Sequence, residues 1–200
     1  MDEFALLREK LDEAITYGRI ELAGQLANEG LARSEAKESL GESEYFKAQI
    51  EIIKGNYFEA IRHFDQAISF NPRDGAAFND RALCMVELGI IEEAFYYFDK
   101  GIEVEPDYAT VYHNKGWLLN QIGRHQEAIA YFRKALELDP ARAVTYENLG
   151  DAFLNLTDYR LALEAYQEAI GLLKPGYSDI KEQIVKQIEL VKDKMNKERQ

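Results

Sequence analysis

Apolar residues recur along this chain at three- and four-residue steps, in runs broken by short polar turns. Tyr112, Gly116, Leu119 and Ile122 share one face of a helix at that spacing. Gly123 follows, at the place after a helix where a left-handed backbone costs glycine least. Ala128, Phe132, Ala135 and Leu136 then line a second helix. Asp139-Pro140 ends it, because proline disfavours helix in the residue before it. The small residues Gly116 and Ala128 let the two helices approach closely, while Tyr112 and Phe132 fill the gaps. A helix pair of this kind cannot bury its apolar face alone, so copies of it must stack.

The copies are visible. Pro72, Pro106 and Pro140 stand 34 residues apart. The same step links Ala60, Ala94, Ala128 and Ala162, and links Phe64, Phe98, Phe132 and Tyr166. It links Ala67, Gly101, Ala135 and Ala169, and Ala48, Ala82, Gly116 and Gly150. Gly55, Gly89 and Gly123 mark a turn, with Thr157 in the fourth copy.

This pattern resembles the tetratricopeptide repeat family, whose units carry W-x2-L-G-x2-Y, A-x3-F and Pro over about 34 residues. The third copy shows Tyr112, Lys115, Gly116, Leu119, Ala128, Phe132 and Pro140 at the corresponding positions. The copies are assigned to 41–74, 75–108, 109–142 and 143–176. The first carries Glu44 at the aromatic position, and the fourth has Lys174 for the proline, with Pro175 one residue late. The resemblance implies an all-α, right-handed superhelical solenoid of antiparallel helix pairs.

Both ends differ from the repeat. Residues 1–40 are read as a degenerate unit, with Leu7, Leu11 and Ala14, then Gly18, then Ala23, Ala27, Gly30 and Leu31. Residues 177–200 carry the apolar stripe Ile180, Ile184, Ile188, Val191 and Met195 between charges that run to Lys197 and Arg199. A capping helix is expected there. Pairing of that stripe with another chain is the sharper alternative.

Charge narrows the partners. The 24 Lys and Arg against 36 Asp and Glu give a net of −12. Nucleic acid and anionic membrane need basic patches and are not expected as partners. Hydrophobic residues make up 46% and aromatics 12%, enough for a core. One cysteine, Cys84, forms no internal disulfide, and a buried inert thiol is expected of it. An acidic start and no long apolar run point to a cytoplasmic protein without a signal peptide or membrane span.

Chemistry is sparse. His63, His113 and His125 lie in no metal-binding spacing, there is no CxxC or HExxH, and every Gly-rich turn belongs to the repeat. No catalytic residue, metal or cofactor is expected, and the chain is read as a non-enzyme.

What remains is the surface of the first helices, which in the family line a concave groove. Positions 2, 5, 6, 9, 12 and 13 of each copy form the stripe expected to be exposed. They are Glu42, Tyr45, Phe46, Gln49, Ile52 and Ile53 in copy one, and Ala76, Asn79, Asp80, Leu83, Val86 and Glu87 in copy two. Copy three supplies Thr110, His113, Asn114, Trp117, Asn120 and Gln121, and copy four Val144, Glu147, Asn148, Asp151, Leu154 and Asn155. Asp80, Asn114 and Asn148 share position 6. Related repeats use Asn there to grip the backbone of an extended peptide, which suits a carboxamide's paired donor and acceptor. Trp117, the only tryptophan, lies one turn from His113 and Asn114. Asn79, Asp80, His113, Asn114, Trp117, Asn148 and Asp151 are therefore the expected peptide-binding residues.

A subset of the family clamps the C-terminal carboxylate of a chaperone partner with Lys and Arg. At the five clamp positions this chain has Asn79, Leu83, Asn114, Val144 and Asn148, one match only. With Asp80, Glu147 and Asp151 nearby, the expected ligand is a neutral or basic peptide or partner helix. Self-assembly through the end surfaces, giving a homo-oligomer, is the competing reading.

Overall fold

The computed structural model describes residues 3–198. Arg199, part of the terminal charge pattern, lies outside the described residues, as do Met1, Asp2 and Gln200. The described residues form eleven helices and no strand. They are α1 (Glu3–Thr16), α2 (Ile20–Ala36), α3 (Leu40–Ile53), α4 (Tyr57–Phe70), α5 (Gly75–Glu87) and α6 (Ile91–Val104). Then come α7 (Ala109–Gln121), α8 (His125–Leu138), α9 (Ala143–Asn155), α10 (Tyr159–Leu172) and α11 (Ser178–Glu198). The chain divides into two compact units at Tyr108 and Ala109, so α1–α6 form one and α7–α11 the other.

Local chemistry sets the helix ends. Gly55, Gly89 and Gly123 take φ of 77°, 74° and 82°, the left-handed turn that joins the two helices of a pair. Thr157 takes the same turn at φ 60° without glycine's freedom. Helices α4, α6 and α8 end two residues before Pro72, Pro106 and Pro140. Asp74 caps α5 by accepting from the Ala77 N–H at 3.0 Å, and Asp158 caps α10 by accepting from the Leu161 N–H at 3.2 Å.

In the first unit the core is Phe4, Leu7 and Leu11 of α1 against Ala23, Leu26 and Ala27 of α2, continuing through Phe46, Ala48, Ala60 and Phe64. A Cβ added at Gly30 would lie 2.3 Å from the Phe46 ring, so this helix crossing needs a glycine. The second unit repeats the device. A Cβ at Gly116 would sit 3.0 Å from the Phe132 ring, and one at Gly150 would sit 2.7 Å from Tyr166. Phe132 and Tyr166 are fully buried, each stabilising its unit by about 1.5–3 kcal/mol. Helix α11 packs on α10 and turns Ile184, Ile188 and Val191 inward. No described helix is long and apolar enough to cross a membrane.

Candidate functional site

Asp80 is the hub of the polar face in the first unit. Its Oδ2 accepts from the Tyr45 hydroxyl at 2.7 Å and from the Gln49 amide at 2.5 Å, and its Oδ1 accepts from Asn79 at 2.8 Å. Helix α3 therefore reaches α5 through a carboxylate that its neighbours already occupy. Burial pushes the Asp80 carboxyl up to about 6, against the lowering effect of its hydrogen bond from Tyr45. Asn79 is 1% exposed, and the same stripe in α3 is buried at Tyr45, Phe46 and Gln49. The expected exposure fails at these four positions, as it does at Ala76 of α5 and Thr110 of α7. The stripe that the family resemblance implied to be exposed is covered there by its neighbours.

The second unit carries the remaining predicted residues. His113 of α7 is 5% exposed, a second correction to the exposed stripe. Its Nδ1 lies 3.0 Å from Thr145 Oγ1, and its Nε2 lies 3.4 Å from the Asn148 side-chain nitrogen. Burial, then the charge of Arg142, holds the His113 imidazole well below its usual range, so the ring is neutral. With the Asn148 amide donating to Nε2, Nδ1–H donates to Thr145. Asn148 uses one of its two N–H groups in this bond.

Around that pair the surface is half-buried. Asn114 and Trp117 lie one turn apart on α7, and Glu147, Asn148 and Asp151 lie within one turn on α9. Tyr166 donates to Asp151 Oδ1 at 2.5 Å from α10 below. Burial raises the Asp151 carboxyl, opposed by that hydrogen bond. Burial, then the charge of Asp151, pushes Glu147 up to about 7. The face is thus less negative at neutral pH than its formal charge.

Other titratable residues are engaged elsewhere. His63 Nδ1 pairs with Glu44 at 2.6 Å and His125 Nδ1 with Asn120 at 2.6 Å. Burial, then the charge of Asp80, raises the Cys84 thiol and disfavours a reactive thiolate. Among the described residues no three His, Cys, Asp or Glu side chains gather to hold a metal ion. The sequence reading placed Tyr45 and Gln49 on the stripe but not as partners of Asp80, and it gave no polar role to Thr145 or Tyr166.

Tetratricopeptide repeat family profiles match residues 47–103, 109–142 and 143–172, together more than half of the chain. The chain belongs to the tetratricopeptide repeat family.

Other members share parts of it. The repeats are 38% identical over 68 residues to the Hsp70-Hsp90 organizing protein 2 of Arabidopsis thaliana, a match covering 29% of this chain and 12% of that protein. The corresponding protein of Glycine max is 35% identical over 68 residues, again 29% of this chain and 12% of the relative. The chain thus spans about an eighth of these relatives. Among solved structures, TTC0263, a thermophilic tetratricopeptide repeat protein of Thermus thermophilus, superposes with a TM-score of 0.73 at 18% identity. That superposition covers 92% of this chain and 97% of the other. YrrB, described as a repeat protein with an unusual peptide-binding site, gives 0.56 at 21% identity over 84% of each chain. These likenesses establish the fold: all-α, built of stacked helix pairs as in tetratricopeptide repeat solenoids.

Proposed function

We propose that this chain is a non-catalytic, cytoplasmic interaction scaffold whose α7/α9 face holds an extended peptide or partner helix. One observation carries the reading. Asn148 is steadied from below by His113, itself fixed by Thr145, so the face presents an oriented carboxamide. An oriented amide can pair with a peptide backbone regardless of the ligand's side chains. Asn114 supplies the second carboxamide and Trp117 an amphipathic anchor of the kind enriched at binding hot spots. Asp151 and Glu147 favour a neutral or basic ligand. The buried Asn79 and His113 act by positioning their neighbours, and Asp80 by tying α3 to α5. In this reading 1–40 is a degenerate repeat, 41–74, 75–108, 109–142 and 143–176 are the four regular ones, and 177–200 caps the array.

Membership of the family and the peptide-binding site described for YrrB support this reading. The chaperone connection in the names of the plant relatives is not carried over, since Val144 and Asn148 stand where a carboxylate clamp needs cations. Decapeptides of basic, neutral and acidic composition, selected from a random library and titrated by the emission of Trp117, test the assignment. Basic and neutral peptides should shift the emission at micromolar concentration and acidic ones should not. Preference for acidic peptides would overturn the charge assignment.

Association through the end surfaces is a second reading, favoured by exposed apolar residues. Leu6, Ile20 and Leu22 are 43%, 49% and 44% exposed, and Val185 and Leu190 of α11 are 37% and 45%. Light scattering of the full chain decides it, because a monomer at tens of micromolar removes the idea.

A further inference from the structure

Arg8 projects from α1 toward α3 and the start of α5. Its guanidinium carbon lies 3.5 Å from the centroid of the Tyr45 ring. Its Nη1 donates to both oxygens of Asp74, at 3.0 and 2.9 Å. Its Nε donates to Glu42 Oε2 at 3.0 Å, and Nη2 lies 3.0 Å from the same oxygen. An aromatic floor with a carboxylate on either edge matches the planar fork of arginine and not the point charge of lysine.

In this cage Asp74 and Tyr45 are held in place by contacts from α3, α4 and α5. Asp74 is fixed by the Ala77 N–H at 3.0 Å as the cap of α5. The Tyr45 hydroxyl is tied to Asp80, and its ring meets Phe46 and Phe64 edge-on at 5.5 and 5.7 Å. None of these contacts involves α1. The cage also has a mouth: the side chains of Arg8 and Glu42 are 14% and 20% exposed, against 7% for Asp74. Two carboxylates face one guanidinium.

Arginine pairs such as Arg62 with Glu59 and Arg160 with Glu164 lie along a single helix at exposed positions. Arg81 comes nearest in kind. Its guanidinium stacks on Tyr97 at 3.7 Å but pairs with one carboxylate, Asp65, whose side chain is 51% exposed.

We propose that the Glu42–Tyr45–Asp74 cage is a recognition site for the arginine side chain of a peptide ligand, and that Arg8 fills it from within the chain until such a ligand competes. This site belongs to the first unit and does not depend on the peptide reading of the α7/α9 face. Only the Arg8 side chain has to swing out through the mouth, while Phe4, Leu7 and Leu11 keep α1 docked.

The test is a titration of Arg8→Ala, Arg81→Ala and wild-type chain with N-acetyl-arginine amide, and with N-acetyl-lysine amide as the control. Arg8→Ala should bind the arginine probe at least ~10-fold more tightly than wild type or Arg81→Ala, and its melting temperature should rise by roughly 2–4 °C at saturation. The lysine probe should bind at least ~10-fold more weakly to Arg8→Ala. In wild type, the probe at high concentration should speed solvent exchange of the Arg8 Nε–H resonance. Equal binding of both probes, equal binding to all three proteins, or no binding to Arg8→Ala would overturn the assignment. Should Arg8→Ala not fold, Arg8→Ser, which likewise leaves the floor over Tyr45 open, carries the same titration. Arg8→Lys adds a second readout: a melting temperature equal to wild type would show that the cage does not select a guanidinium.

Discussion

Asn148 on α9 donates to His113 on α7 at 3.4 Å, across 35 positions of sequence. The same separation joins Tyr45 to Asp80 and Asn120 to Asn155. Within each unit, the period of 34 residues thus brings these first-helix positions beside the next position of the following copy. This offset sets which polar side chains meet.

His113→Ala would leave the Thr145 hydroxyl and the Asn148 amide without their partner and open a cavity. The expected loss is about 1–3 kcal/mol of stability, read by thermal or urea unfolding. Peptide affinity at the α7/α9 face should fall as well, because Asn148 loses its support.

Glu147 and Asp80 bind protons more tightly folded than unfolded. Their contribution is fully present below the ordinary carboxyl values of 4.5 and 3.8, and is lost as pH rises through about 7 and about 6. His113 works the other way. Its folded value is depressed, so its contribution is present above 6.5 and fades as pH falls below it. Glu147→Gln isolates the first effect. Relative to wild type it should gain stability on the order of 1 kcal/mol at pH 8 and nothing at pH 4, by melts at the two pH values.

Thr157 adopts φ 60° where the other regular copies place glycine. A β-branched residue in that region costs about 1–2 kcal/mol. Thr157→Gly should recover roughly 1 kcal/mol, a rise of about 2–4 °C in melting temperature. Gly123→Thr should show the reverse shift.

Gly150 and Gly24 separate packing from propensity. A Cβ at Gly150 meets the Tyr166 ring at 2.7 Å, whereas one at Gly24 meets nothing within 4 Å. Gly150→Ala should destabilise by about 1–3 kcal/mol through overpacking. Gly24→Ala, inside α2, should stabilise by roughly 0.5–1 kcal/mol through helix propensity. Chemical denaturation of both variants checks the contrast.

The helix pairs and their turns were legible because glycine, proline and small residues recur for backbone reasons. Gly123 needs its φ and Gly116 needs its space whatever the neighbouring copies contain. The face was only partly legible. The family resemblance pointed to the helix side that bears Asn79 and His113, but burial depends on what the adjacent helix carries. Asp80 drew Asn79, Tyr45 and Gln49 inward, and Asn148 with Thr145 covered His113. Arg8 was invisible for the same reason. It lies in the degenerate unit, and its partners Glu42 and Asp74 are 34 and 66 residues away.

The central claim is that the carboxamides of Asn114 and Asn148 hold peptide on the α7/α9 face. Its most direct test is the affinity of a library-selected peptide for the Asn114→Ala/Asn148→Ala chain, read by Trp117 emission, with the fold checked by circular dichroism. At least a ~10-fold loss of affinity with helicity and melting temperature close to wild type is predicted. Unchanged affinity in the folded double variant would contradict the account.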